Sequence, residues 1–123
     1  MSQSVRDFEK SYISTNDLSA AQFLIVASDT SNDLAIVKAA AATDPIVGVL
    51  QSKPKAGAAA VVRHIGTTKV VCGGTITRGD KVTSDGNGKA VTTTTSGNQV
   101  VGRALQSGVS GDVIEILLMI HTL

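Results

Sequence analysis

The chain has 123 residues, the length of a single domain, with 11 Lys and Arg residues against 10 Asp and Glu residues. Only 17% of the residues are charged, which argues against a disordered tail protein or a histone-like DNA-binding protein. The single cysteine, Cys72, excludes an intramolecular disulfide bond and a zinc site of paired cysteines.

β-branched residues dominate the composition, with 15 Val, 9 Ile and 13 Thr, and 12 Gly residues are available for turns. Such side chains fit a pleated sheet, so the sequence predicts an all-β fold. Trp is absent, and there are one Tyr and two Phe residues. Because aromatic side chains anchor most small-molecule pockets and base-stacking surfaces, we expect no small-molecule substrate and no RNA-binding platform.

Residues 1–20 differ in composition from the rest of the chain. They are rich in Ser, Asn and charged residues, but they also contain Val5, Phe8, Tyr12 and Ile13. One interpretation is a frayed terminus, and the other is an extended N-terminal arm that becomes ordered when these side chains dock on a neighbour. The predicted organisation is an arm of residues 1–20 and a single β domain of residues 21–123.

The first ten residues contain no signal-peptide core, and no run reaches the ~18 apolar residues of a membrane span. We therefore expect synthesis in a reducing cytoplasm and no membrane partner.

From residue 22 onward, short strand patterns alternate with turn residues, which is typical of a small β-barrel or β-sandwich-like fold. The clearest hairpin joins residues 81–83 to residues 89–92, because the intervening Asp-Gly and Asn-Gly pairs favour positive φ. A last antiparallel pair is predicted from residues 100–106 and 112–120. The four alanines at 39–42 are too few for an independent helix before Asp44-Pro45.

The sequence contains one short internal similarity, which we call the internal echo. The segment 47–52 (VGVLQS) resembles 101–107 (VGRALQS), with one residue inserted, and in each copy a second glycine follows nine positions after the first. Two interpretations remain open at this stage. The echo marks two related hairpins side by side in one barrel, or it is a chance similarity in a low-complexity sequence.

The final predicted strand, Val113–Ile120, is apolar on both faces except at Glu115. A strand with one solvated face would alternate, so either both faces are covered within the monomer or one face meets another subunit. A short chain has little material to cover both faces. We therefore expect Ile114, Ile116 and Leu118 to lie at an oligomer interface.

The residues that could support chemistry are few. Cys72 could pair with His64 or His121 as nucleophile and base, but it lies in an apolar run, where a thiol is usually a small buried side chain. The segment from Asp85 begins like a calcium loop, but Lys89 falls where an oxygen ligand is required. We therefore predict that the protein is not an enzyme and has no catalytic, cofactor-binding or metal-ligating residue.

Charge is unevenly distributed along the chain. Residues 1–45 carry a net charge of −3, residues 46–111 a net charge of +6, and residues 112–123 a net charge of −2. The basic residues of the middle segment could form a stripe for nucleic acid, but they alternate with apolar residues and no aromatics accompany them. A solvated face, or a surface for an oppositely charged partner, is the favoured interpretation.

The segment from residue 44 to 118 resembles the small capsid cement (head decoration) proteins of tailed bacteriophages. The pairing of GGTITRGDKV at 73–82 with DGNGKA at 85–90 is the most specific part, followed by GRAL at 102–105 and GDVIEILL at 111–118. The resemblance covers about three-fifths of the chain. Residues 1–20 match nothing in it.

The resemblance implies a structural virion protein on the outer surface of the capsid, which assembles commonly as a homotrimer. It would bridge neighbouring subunits of the major capsid protein and so stabilise the mature head. Val5, Phe8, Tyr12 and Ile13 are then the candidates for capsid contacts. The alternative is another structural module of the virion, such as a tail or fibre component.

Overall fold

The structure is a computed structural model that describes residues 8–123, and all the regular elements in that range are β-strands. The all-β prediction is confirmed, and residues 39–42 form no helix. In chain order the strands are β1 Phe8–Ser14, β2 Ile25–Ser28, β3 Ala35–Lys38, β4 Ile46–Leu50, β5 Ala59–Ile65, β6 Thr67–Val71, β7 Lys81–Ser84, β8 Ala90–Thr92, β9 Gln99–Ala104 and β10 Val113–Thr122.

The strands form two five-stranded sheets that divide the chain at Gly66. The first five strands close into a barrel in the order β1-β3-β2-β4-β5, and the last five form a sheet in the order β6-β10-β9-β7-β8. We call residues 8–65 the first half and residues 67–122 the second half. The predicted hairpin between residues 81–83 and 89–92 is confirmed as the β7–β8 pair.

The two halves share one topology, because each strand of the first half is matched by the strand five places later in the second. Across the sheets the order is β3-β2-β4-β5-β1 in one half and β8-β7-β9-β10-β6 in the other. Backbone hydrogen bonds repeat as well. The N–H of Gly57 donates to the carbonyl of Ser14 at 2.7 Å, and the N–H of Gly111 donates to the carbonyl of Cys72 at 2.9 Å.

The internal echo of the sequence belongs to this repeat. It marks two equivalent hairpins, β4–β5 and β9–β10, and its two glycines, Gly48 and Gly102, have the same role. A β-carbon on Gly48 would collide with the carbonyl oxygen of Arg63, and one on Gly102 would collide with that of Leu117. The related hairpins lie in two different sheets, so the expectation that they sit side by side in one barrel is wrong.

The halves differ in how the sheet closes. In the first half β1 pairs in parallel with β3, at Ile13 with Ala35 and at Ser14 with Ile36. In the second half the corresponding strands share a single parallel bridge, from Cys72 to Ala90. The second sheet is therefore left with a gap between β6 and β8.

A segment of the first half fills this gap. The carbonyl of Phe23 accepts a hydrogen bond from the N–H of Val71 at 3.1 Å, and the N–H of Ile25 donates to the carbonyl of Gly88 at 2.7 Å. Phe23 has φ of 67°, a left-handed conformation that is uncommon for a residue other than glycine. The segment Phe23–Ile25 thus completes the second sheet, which makes the two halves one folding unit.

The core consists of two apolar clusters. One fills the barrel, and the other fills the second sheet and continues across the contact between the halves. Strand β2 is buried on both faces, because Val26 belongs to the first cluster while Ile25 and Ala27 belong to the second. β-branched and small residues suit such a strand, since both of its faces must pack.

The described part of the predicted arm lies in the barrel. Residues 8–14 form β1, which pairs antiparallel with β5 as well as parallel with β3, and Ser14 and Leu18 are buried. The predicted boundary at residue 20 differs from this arrangement. The strand pattern is weak because polar residues such as Glu9 and Ser11 separate the larger side chains. Val5 lies outside the described residues.

Strand β10 alternates in burial, which corrects the predicted oligomer interface. Ile114, Ile116 and Leu118 are buried within the chain, whereas Val113 and Leu117 are exposed. A side chain that is buried in its own core offers no surface to another subunit. The face of β10 that stays uncovered is the opposite one, which carries Val113 and Leu117.

Candidate functional site

The side chains that could act in catalysis or metal binding are engaged in contacts that stabilise the fold. Cys72 is buried, and burial, followed by the Asp112 carboxylate, raises the pKa of its thiol, which makes it a poor nucleophile. The Nδ1 atom of His64 lies 2.8 Å from the carbonyl of Val47, and that of His121 lies 2.7 Å from the carbonyl of Met119. Within residues 8–123 no three His, Cys, Asp or Glu side chains are grouped to hold a metal ion.

Aspartate side chains complete turns in both halves. Asp29 accepts a hydrogen bond from the N–H of Ser31 at 2.9 Å, and its equivalent Asp85 accepts one from the N–H of Asn87 at 2.8 Å. Hydrogen bonds from Thr15 and Ser31 lower the pKa of Asp29. The segment that begins like a calcium loop is therefore a turn in which the carboxylate binds backbone donors.

No helix in the described part of the chain could span a membrane.

Exposed apolar side chains lie along β1. Phe8, Ile13, Leu34 and Ile65 are 56%, 48%, 65% and 57% exposed, respectively. Phe8 lies directly opposite Ile65 in the β1–β5 ladder, and the N–H of Ile13 donates to the carbonyl of Leu34 at 2.9 Å. We call these four side chains the β1 surface. It consists of one apolar pair at each end of the strand.

The middle of β1 is fixed by polar contacts. The hydroxyl of the half-buried Tyr12 lies 3.0 Å from Nε2 of His64, and burial raises the pKa of Tyr12. Glu9 forms an ion pair with Arg63 at 2.5 Å across the β1–β5 pair. These contacts hold the strand in place, so the β1 surface stands on a firmly paired element of the barrel.

A surface cavity of about 340 Å³ lies beside the Ile13 end of the β1 surface. Asn32, Asp33 and Gly57 contribute to its lining together with Ile13. A cavity of this size next to exposed apolar side chains can accept a large side chain of a partner protein.

The predicted contact residues differ in their exposure in the structure. Phe8 and Ile13 are brought to the same strand and are exposed, whereas Tyr12 is half-buried and hydrogen-bonded. Sequence reasoning missed Leu34 and Ile65. Ile65 is next to Gly66 at a strand end, and Leu34 adopts φ of 57° in a turn, where glycine is the usual residue. An apolar residue in such a turn is the signal that could have identified Leu34.

The fold and this surface define a small all-β domain with exposed apolar side chains at both ends of one barrel strand. A family model described as phage cement protein matches residues 13–120, which include at least part of every strand. The chain belongs to the phage cement protein family. It is a structural protein of the phage head, located at the outer surface of the virion capsid.

Among solved structures, the N base of head fibre gp8.5 in bacteriophage phi29 is similar in fold. The TM-score is 0.71 at 19% sequence identity, and the match covers 96% of this chain and 98% of that chain. At this identity the likeness concerns the fold. No curated protein matches the sequence.

Proposed function

We propose that this protein binds subunits of the major capsid protein through the β1 surface and bridges neighbouring subunits in the mature head, without catalysing a reaction. The observation that carries the proposal is two pairs of exposed apolar residues at the ends of β1: Phe8 lies opposite Ile65 of β5, and Ile13 is hydrogen-bonded through its backbone to Leu34 in the turn before β3. Exposed apolar side chains that have an exposed apolar neighbour, as in each of these pairs, mark interaction sites more often than isolated ones do.

Stabilisation of the head then follows from mass action. A protein that binds the mature lattice but not its separated subunits shifts the equilibrium toward the lattice, by an amount that grows with its occupancy and affinity. A homotrimer, which the family resemblance supports, would present three β1 surfaces at high effective concentration. Three weak contacts would act together, so each can be small.

Val5 remains a predicted capsid contact. It precedes Phe8, the first described residue, by three positions in the sequence. Removal of residues 1–7 deletes no residue of the ten described strands and therefore tests this contact. We expect the shortened protein to stay folded and to bind heads more weakly. Unchanged binding would restrict the contact to the barrel.

The experiment that tests the proposal is cosedimentation with purified mature heads that lack this protein. The double variant Phe8→Ser and Ile65→Ser should remain folded and bind at least about tenfold more weakly, because each side chain contributes roughly 1 kcal/mol as an interface contact. Val109→Ser is the matched control, since Val109 is equally exposed but lies in a loop of the second half. Normal decoration by the double variant would disprove the role of the β1 surface.

The trimer and the alternative location have separate tests. Sedimentation equilibrium of the free protein should give three times the mass of the chain, and a monomer would contradict the trimer. The likeness to a head fibre base keeps a fibre component as the second candidate function. Detection of the protein in purified fibres or tails, and not in heads stripped of them, would favour that candidate.

A further inference from the structure

The outer face of the second sheet contains two cations directly opposite each other. Lys81 of β7 pairs with Arg103 of β9, and Leu117 of β10 pairs with Arg103 on its other side. Like charges that face each other across a sheet destabilise it. In the described range no carboxylate forms an ion pair with either cation. Residues 8–123 therefore do not neutralise this pair.

His121 does not neutralise the pair either. Its Nδ1 atom lies 2.7 Å from the carbonyl of Met119, which can only accept a hydrogen bond, so Nδ1 carries the proton. Its Nε2 atom lies 3.2 Å from Nζ of Lys81 and accepts from the ammonium group. An imidazole supplies no negative charge, so this contact orients the Lys81 ammonium without cancelling its charge.

Exposed apolar side chains share this face with the cations. Leu117 lies between Arg103 and Thr67 in the ladder, and the N–H of Leu105 donates to the carbonyl of Glu115 at 2.9 Å. Both leucines are exposed. Lys69 lies opposite Glu115, the one acid in these rows. We call Lys69, Lys81, Arg103, Leu105 and Leu117 the basic sheet face.

The equivalent face of the first half is already covered. Ile25 and Val49 pair across β2 and β4 as Lys81 and Arg103 pair across β7 and β9, and both are fully buried against the second half. Arg63, the equivalent of Leu117, is ion-paired with Glu9. The repeated face is thus internal in one half and charged and open in the other.

We propose that the basic sheet face is a second docking surface and that it binds an acidic protein surface. Three cations against one acid fit a partner of negative charge, and the two leucines fit apolar side chains of that partner. Nucleic acid is the less favoured polyanion, because no aromatic side chain accompanies these cations for base stacking. The inference rests on the proposed function, since the acidic surface would belong to the protein lattice of the head.

The test measures binding of the full chain to purified mature heads that lack it, at several salt concentrations. Arg103→Glu should weaken binding at least about tenfold at low salt and flatten the salt dependence, with a smaller loss for Arg103→Gln. Lys53→Glu is the matched control, because Lys53 is exposed and lies in a first-half loop. Circular dichroism of each variant checks that an exposed substitution leaves the fold unchanged.

The outcomes separate the two proposals. Absence of binding by the unmodified protein overturns the proposed function and this inference with it. Binding of the Arg103→Glu variant with the affinity and salt dependence of the unmodified protein overturns the inference alone. A parallel measurement uses a 60-base-pair DNA duplex as probe. Loss of duplex binding by Arg103→Glu, with head binding unchanged, would assign the face to nucleic acid and overturn the inference.

Discussion

In the first half of the molecule β1 and β3 pair directly and close the barrel, whereas in the second half β6 and β8 share one bridge and the segment Phe23–Ile25 lies between them. The strand order is otherwise the same. The comparison shows that one topology can be completed in two ways, by its own strands or by a segment of the other copy. It also explains why neither half is an independent domain.

The equivalent core positions keep their apolar character but not their volume. Leu50 of the first half corresponds to Ala104 of the second, as the hydrogen bonds from Phe23 and Gly79 to their carbonyls show. Ala60 corresponds to Ile114 in the β1–β5 and β6–β10 ladders. A large residue in one half thus corresponds to a small residue in the other. Leu50 is the larger member of one pair, and Ile114 is the larger member of the other. Cores tolerate such exchanges when the total volume is kept.

The largest expected effect comes from a charge in the core of the second half. Ile116→Asp places a carboxylate in a fully buried position without a partner, and we expect a loss of about 4 kcal/mol or more in the free energy of unfolding. Leu117→Asp, one residue along the strand on the exposed face, should cost less than about 1 kcal/mol. Urea unfolding measures both. Equal losses would contradict the alternation of β10.

The next effect tests the equivalence of the halves at their shared glycines. Gly48→Ala and Gly102→Ala should each lower the free energy of unfolding by about 3 kcal/mol, because the new methyl group meets the carbonyl of Arg63 or of Leu117. Gly74→Ala is the control, since a β-carbon there would make only an ordinary contact, 3.6 Å from Val91. A clear loss in the free energy of unfolding at one glycine and none at the other would contradict the equivalence of the two halves.

The smallest effect concerns pH, through Cys72 and its first-half equivalent Ser14, which does not titrate. Burial raises the pKa of the Cys72 thiol, so the unfolded chain loses this proton at lower pH than the folded protein does. The protonated thiol therefore contributes to the free energy of unfolding. This contribution is complete below the pKa of the unfolded thiol and is lost as pH rises past about 9, at up to about 1.4 kcal/mol per pH unit. Tyr12 acts in the same direction.

Unfolding free energies at pH 7 and pH 10 provide the measurement. The Cys72→Ala variant should be less stable than the unmodified protein at pH 7, because it leaves a small cavity, but it should lose less stability between the two values. Ser14→Ala serves as the comparison in the first half and should keep the full pH dependence. An unchanged dependence in the Cys72 variant would place the ionisation elsewhere.

The sequence predicted the fold class and several strands because β-branched alternation and Asp-Gly or Asn-Gly turns are local signals. The family likeness also came from such local signals, at residues 73–82 and 85–90. Position in space was harder to predict. Residues 8–14 have a weak strand pattern, and their place in the barrel depends on pairing with β5, about 50 residues away.

The errors at the sites have the same physical origin. Ile114, Ile116 and Leu118 read as a possible interface because nothing local shows that the first half covers them. The basic sheet face also depends on long-range register, since Lys81 and Arg103 are 22 positions apart and meet only through β7–β9 pairing. Phe8 and Ile13, by contrast, could be named because large apolar residues in a polar segment are visible in the sequence alone.

The position of Phe23–Ile25 in the chain has a consequence for biosynthesis. The segment Phe23–Ile25 is translated before the strands that receive it, so the part that completes the second sheet is already present when β6 and β8 emerge. Strands β6 and β8 can then pair with this segment as they form, which shortens the time that their open edges are exposed to other copies. A circular permutant that begins at Thr67 would reverse this order, and its emerging strands would be free to pair between molecules in a crowded infected cell.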